Sequence, residues 1–352
     1  MTKIDIISGF LGAGKTTFIK KMLEEVFSGE KVVLVENEYG EVGIDGGFLK
    51  DSGIEIKELN SGCICCSLVG DFNRSLNEVI ETYHPDRILI EPSGVGKLSD
   101  VMSSVKDMEK NHDVKLNALV TVANAMKATK QMKAFGEFFN NQIENATTVV
   151  LSRTQNMKEE KLELCVKEIQ KLNPKVAIIT TPWDSISGEQ ILKVIEQQDS
   201  LMQEMMKEYE EHHHDHEHEH HHDHNHDHEH EHHHDHDHDH GEGCTCGCHD
   251  HDHHHHDHDA DEVFISWGKE TPHKYTKEKI ESILKTFCDT EDYGTILRAK
   301  GMVPAEDGTW IYFDMVPGEY ELRDGEPDYT GRLCVIGTDI DEHKLEELFE
   351  LN

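Results

Sequence analysis

Gly9, Gly12, Ala13, Gly14, Lys15, Thr16 and Thr17 belong to one segment, GFLGAGKTT, that fits G-x-x-x-x-G-K-[ST] at every position. Glycines let backbone N–H groups converge on phosphate oxygens, and a helix start adds its dipole. The expected chemistry is nucleotide phosphate binding. Gly9, Gly12, Ala13 and Gly14 form the cradle, with Thr17 beside it. Lys15 reaches the β- and γ-phosphates, and Thr16 offers its hydroxyl to Mg²⁺.

A second segment, ILIEPSG, ends an apolar run on Glu91 and continues to Gly94. A carboxylate at the end of such a strand faces the metal and γ-phosphate region. There it can hold a metal-bound water or position the attacking one, while Gly94 lets the backbone approach the γ-phosphate.

Between these segments lie Cys63, Cys65 and Cys66, in NSGCICC. Three cysteines within four residues pair poorly with one another but can give three thiolates to one soft ion. Tetrahedral zinc wants a fourth ligand. Glu38, Glu41, a linker histidine, water or a partner protein are the options. Cys165, Cys288 and Cys334 stand alone and are read as small buried apolar residues.

A fourth segment is dominated by histidine. Of 29 histidines, 25 fall between His212 and His258, alternating with Asp and Glu. Imidazole suits Zn²⁺, Ni²⁺, Cu²⁺ and Co²⁺, and the carboxylates concentrate cations. Cys244, Cys246, Cys248 and His249 lie inside this tract and form a candidate Cys3His site. With almost no apolar residues the tract cannot offset the entropy of ordering, so disorder without metal is expected over 211–261.

The elements that must hold these residues follow from periodicity. Apolar runs at 3–7, 31–35, 87–90, 116–122, 147–151 and 176–179 read as strands, and 54–59 alternates as a half-exposed strand would. Helical patterns at 15–27, 70–83, 97–110, 125–143, 157–172 and 188–210 separate most of them. Strands alternating with helices imply α/β architecture, here a P-loop NTPase domain over 1–210 with a mostly parallel sheet. After the 211–261 linker, residues 262–352 cluster their strands and set two helices apart, at 275–288 and 341–351. That pattern implies a small α+β domain with Trp267, Trp310 and Tyr312 in its core.

Taken together, GFLGAGKTT at 9–17, ENEYGEVGID at 36–45, CICC at 63–66 and IEPSG at 90–94 resemble the CobW-like P-loop GTPases, relatives of the GTPases that load nickel into urease and hydrogenase. The C-terminal part, from VFISW to GRLCVIGTDID, looks like that family's small C-terminal domain. The resemblance implies a GTP-dependent metallochaperone that binds metal at the cysteine motif and releases it to a client metalloprotein as the nucleotide state changes. It implies a switch role for the Glu38–Glu41 segment, and a homodimer formed through the nucleotide domain. Zinc is the first choice of metal, with nickel or cobalt as alternatives.

One departure is plain. Where the family reads guanine with N-K-x-D, this chain carries Ser152-Arg153-Thr154-Gln155. A Gln amide both donates and accepts, so Gln155 can still contact guanine but discriminates less, which leaves ATP open. Arg153 can lay its stem on the base. Base recognition elsewhere, around Thr180 to Trp183, is the other reading.

Charge narrows the field. With 71 Asp+Glu against 34 Lys+Arg, the net charge of −37 argues against non-specific nucleic-acid binding and against anionic membranes. No apolar run reaches roughly 18 residues and no signal-peptide pattern opens the chain, so a cytoplasmic protein is expected. Two other readings stand beside the chaperone. One is a histidine-rich metal buffer with a regulatory NTPase, and the other a P-loop enzyme of another class.

Overall fold

The computed structural model describes residues 1–36, 55–58, 69–94, 96–197 and 265–351. The expected 211–261 linker lies outside these residues. So do both expected domain boundaries.

Seven strands form the first sheet: β1 (Thr2–Ser8), β2 (Val32–Glu36), β3 (Glu55–Glu58), β4 (Arg87–Glu91), β5 (Val114–Asn124), β6 (Thr148–Ser152) and β7 (Ala177–Ile179). Their order is β3-β2-β4-β1-β5-β6-β7, and every pairing is parallel. The helices are α1 (Lys15–Glu25), α2 (Val69–Tyr83), α3 (Leu98–Glu109), α4 (Ala128–Ala134), α5 (Gly136–Glu144), α6 (Glu159–Leu172) and α7 (Gly188–Ile195).

The inner strands carry mostly apolar runs because both faces are covered. Successive side chains alternate between faces, so Ile4, Ile6, Val33, Val35, Ile88 and Ile90 pack under α2, α3, α5 and α6. Ile7, Leu34, Leu89, Val120 and Val150 instead pack with Phe18, Ile19 and Met22 of α1 and Ile191 and Val194 of α7.

Two helical expectations need correction. The span 125–143 breaks at Phe135, whose φ of −131° and ψ of +35° leave the helical range. Its ring packs on Phe10 with centroids 4.9 Å apart, and Gly136 starts the next helix. The span 188–210 stops at Ile195, where Gln197 turns to a φ of +55°; residues 198–210 lie outside those described.

The second sheet is antiparallel: β8 (Ile265–Thr271), β9 (Thr295–Pro304), β10 (Trp310–Val316), β11 (Glu319–Gly325) and β12 (Gly331–Thr338), in the order β11-β10-β9-β12-β8. Helices α8 (Lys277–Asp289) and α9 (Glu342–Leu348) cover it, with Trp267, Ile283, Phe287, Phe313 and Phe349 in the core. Thr276 and Asp341 cap these helices through their side chains, accepting from Lys279 N–H and Lys344 N–H. The strand β11 was not expected. Its sequence, EYELRDG, has no apolar run, and charge suits an edge that pairs on one side only. Tyr312 is half-buried rather than core, its hydroxyl donating to the Glu326 carbonyl.

The sheets meet along a seam. The Tyr329 carbonyl accepts N–H groups from Thr180 (2.9 Å) and Thr181 (3.1 Å), and Thr181 Oγ1 donates to the Asp328 carbonyl at 2.5 Å. Tyr329 itself is buried in the first sheet's core, with its hydroxyl donating to Glu270.

Candidate functional site

The loop from Gly9 to Gly14 leaves the end of β1 and enters α1 at Lys15. Gly9 has φ +148°, and a Cβ there would stand 2.3 Å from the Val122 carbonyl oxygen, so no side chain fits. Gly12 and Gly14 continue the loop at φ +71° and +104°. Ala13 is buried, and its carbonyl accepts the Ser152 hydroxyl at 2.6 Å. Thr16 and Thr17 stand in the first turn of α1, with Thr17 exposed.

Lys15 Nζ donates to the Gly9 carbonyl at 3.0 Å and lies 3.6 Å from Glu91 Oε1. Glu91 ends β4 in register with Glu36, which ends β2, and Glu36 pairs in register with Glu58, which ends β3. The C-terminal ends of three neighbouring strands therefore finish level beside the phosphate loop. Sequence reading missed Glu36, although the signal that marked Glu91, an acid ending an apolar run, marks it too.

Gly94 lies against the loop. A Cβ there would meet Leu11 Cδ2 at 3.0 Å and Leu11 N at 3.1 Å. The backbone around it is held by Gln142, whose Nε2 donates to the carbonyls of Gly94 (3.3 Å) and Gly96 (3.0 Å). Gln142 is buried on α5, and its own carbonyl accepts the Thr121 hydroxyl. No sequence signal marked it, because its partners lie 46 and 48 positions away.

The Ser152–Gln155 segment follows β6. Arg153 turns left-handed at φ +61°, and Thr154–Asn156 form a single 3₁₀ turn. Arg153 and Gln155 are exposed. Trp183 closes the side of this region. Its Nε1 donates to the Leu151 carbonyl at 3.0 Å, its ring packs on Phe18, and its edge lies beside Gly14. Gln155, Thr180 and Thr181 line one cavity of about 260 Å³, together with Pro304, Gly308 and Trp310. The two alternatives for base recognition thus share a cavity.

Cys63, Cys65, Cys66, Glu38 and Glu41 lie outside the described residues, as do Cys244, Cys246, Cys248 and His249. In the chain, Cys63 follows Glu58 by five positions and α2 begins three after Cys66. Cys165 and Cys334 are buried free thiols, and burial pushes them up to about 12 and about 11. Cys288 is half-buried. Among the described residues no helix is long and apolar enough to cross a membrane.

Residues 3–180 match the family described as CobW/HypB/UreG, nucleotide-binding domain. The chain belongs to this family. Residues 264–351 match the C-terminal domain of the cobalamin synthesis protein CobW. Among curated members, the zinc chaperone YeiR of Escherichia coli K12 is 34% identical over 160 residues, 46% of this chain and 49% of that protein. The zinc-regulated GTPase metalloprotein activator 1 of Schizosaccharomyces pombe is 29% identical over 188 residues, 51% of this chain and 46% of that protein. The chain spans about half the length of these relatives. The solved zinc-bound YjiA GTPase of E. coli aligns over 99% of this chain and 98% of its own, at 18% identity and a TM-score of 0.43.

Proposed function

We propose that this CobW/HypB/UreG member is a GTP-dependent metallochaperone that carries zinc at Cys63, Cys65 and Cys66 and gives it to a client metalloprotein. The observation that carries the reading is the Lys15–Glu91 pair at the C-terminal ends of the strands, where Glu91, Glu36 and Glu58 stand in register and Cys63 follows Glu58 by five positions. Two relatives with zinc in their names support the choice of metal, and the one also named a GTPase supports the nucleotide.

The roles follow from the geometry. Backbone N–H groups of Gly9, Gly12, Ala13 and Gly14 receive the phosphates. Lys15 exchanges its bond to Gly9 for the β- and γ-phosphate oxygens. Glu91 then orients the attacking water, and Gly94 offers its N–H to the γ-phosphate. The Thr16 hydroxyl and the Glu36 and Glu91 carboxylates are hard oxygen donors, a set that fits Mg²⁺ held directly or through water. When bound, that ion neutralises charge on the phosphates.

On this reading, Ser152, Arg153 and Gln155 meet the base, with GTP preferred and ATP tolerated. Glu38 or Glu41 supplies a further zinc ligand and links it to the γ-phosphate. The histidine tract, with Cys244, Cys246, Cys248 and His249, concentrates metal for transfer. Nickel and cobalt remain alternative cargoes. The working form is a cytoplasmic homodimer built through the nucleotide domain.

The 25 histidines between His212 and His258 favour a second reading, a metal buffer with a regulatory NTPase. Hydrolysis of GTP by the full chain, with and without zinc, separates the two. The chaperone reading expects hydrolysis that responds to zinc and loses that response when Cys63, Cys65 and Cys66 are all changed to Ser. Hydrolysis indifferent to zinc in both proteins overturns it.

A further inference from the structure

At the seam between the two sheets, three side chains from distant parts of the chain converge. Glu159 and Glu163 stand one turn apart at the start of α6, and His273 follows β8. His273 Nδ1 lies 2.7 Å from Glu163 Oε1 and 3.7 Å from Glu159 Oε1. One ligand atom from each of the three lies within 4.8 Å of the others. All three residues are half-buried.

We infer that Glu159, Glu163 and His273 form a binding site for a divalent transition ion of the zinc class, separate from the cysteine motif, that clasps the nucleotide-binding domain to the C-terminal sheet. Zinc bonds of about 2.0–2.2 Å to nitrogen and oxygen set tetrahedral ligand atoms about 3.3 Å apart. The two His273 distances fall on either side of that spacing, so small side-chain rotations bring the set to it.

The far side of the imidazole fits the same role. A histidine that binds metal through one nitrogen commonly presents the other N–H to a carboxylate, which fixes ring and tautomer. Here Nε2 faces Glu350 Oε2 at 3.8 Å, and Glu350 is itself held by Lys279 at 2.5 Å. The ring is braced edge-on against Tyr275, with centroids 4.6 Å apart.

Charge points the same way. Three carboxylates surround one imidazole. Glu350 has Lys279, and Glu159 Oε1, the oxygen nearest the imidazole, accepts the Lys274 backbone N–H at 2.7 Å, which leaves it a lone pair for a metal. Lys269, which shares the wider cavity, is bound to Glu346 (2.6 Å), and Lys167 and Lys175 there are exposed. Even a charged imidazole leaves the group negative, and a dication offsets that. Access exists, because Glu163 and His273 line a cavity of about 580 Å³.

The position gives the ion something to regulate. Glu159 lies four residues after Gln155, and β8 is the strand into which the histidine tract runs. Metal here ties the base-side loop to the C-terminal sheet. This inference does not depend on the chaperone reading, and its test leaves the cysteines untouched.

The test uses the full chain and Zn²⁺ alone. Crystals soaked in zinc are expected to give an anomalous peak at the zinc edge between Glu159, Glu163 and His273. In solution, zinc at about ten times its dissociation constant should slow amide exchange at Lys274 and Tyr275 about tenfold, where opening of the seam governs exchange. Glu163→Gln keeps an oxygen that accepts from His273 but removes the anionic ligand, so it should lose both signals and keep its fold. Absence of the wild-type peak overturns the site. So does equal zinc protection in the wild type and in Glu163→Gln.

Discussion

The ammonium of Lys15 lies 3.6 Å from the carboxylate of Glu91 while donating to the Gly9 carbonyl at 3.0 Å. One cation thereby ties the phosphate loop to the end of β4. If Lys15 serves binding and Glu91 serves hydrolysis, substitutions separate the two. Lys15→Ala should abolish triphosphate binding. Glu91→Gln should bind triphosphate within a few-fold of wild type and hydrolyse it about 10²–10⁴-fold more slowly. Equilibrium binding beside single-turnover hydrolysis checks both. Unchanged hydrolysis in Glu91→Gln removes that residue from the chemistry.

Gln142 fixes the backbone around Gly94 through two hydrogen bonds from one amide nitrogen. Gln142→Leu leaves two carbonyls without that donor, and the expected destabilisation is about 1–3 kcal/mol. Hydrolysis should fall while diphosphate affinity stays near wild type, since Gly94 is expected to meet only the γ-phosphate. Denaturant unfolding and nucleotide titration read the two effects separately.

Arg87 is 2% exposed and pairs with Asp5, Glu30 (2.9 Å) and Glu196 (3.1 Å). Arg87→Ala should cost about 3–5 kcal/mol, because it leaves carboxylates buried without their cation. Burial already holds the Asp5 carboxyl above its ordinary value, against the lowering pull of Arg87 and Asn117. A carboxyl raised in the folded state binds its proton more readily folded than unfolded. Its contribution is favourable below the unfolded value, about 3.9, and is lost as pH rises through the folded one. Without Arg87 that rise grows, so the variant's deficit should shrink on acidification from neutral pH toward 4. Unfolding of both proteins across that range is the check. A deficit independent of pH contradicts the assignment.

Gln155 stands where the family's guanine reader has a carboxylate. Gln155→Asp should raise the preference for GTP over ATP by at least about tenfold, because a carboxylate covered by the bound base pairs with guanine and is left unpaired by adenine. Competition between the two triphosphates measures it. An unchanged ratio moves base recognition to the Thr180–Trp183 side of the same cavity.

What the sequence displayed was local. Gly9 to Thr17 was legible because a phosphate site needs a fixed backbone spacing. Most of the parallel strands were legible because burial on both faces leaves continuous apolar runs, and β3 because IEIKEL alternates. Glu36 carries the same mark as Glu91, an acid ending an apolar run. The break at Phe135 depends on a ring contact with Phe10, 125 positions earlier, and periodicity cannot see that. Strand β11 is an edge whose charged residues hide its pattern. The Gln142 amide, Tyr329 in the first sheet's core and the Glu163–His273 pair, 110 positions apart, exist only once the chain has closed on itself.

The central claim is that nucleotide state sets metal affinity at Cys63, Cys65 and Cys66. The most direct measurement is a competitive zinc titration of a chain lacking residues 212–258, with Mg²⁺ present. It is run without nucleotide, with GDP, with a non-hydrolysable GTP analogue and with the ATP equivalent. The account predicts one tight site whose affinity differs at least about tenfold, or about 1.4 kcal/mol, between the diphosphate and triphosphate forms. Equal affinity in all four conditions, or no tight site at all, contradicts it.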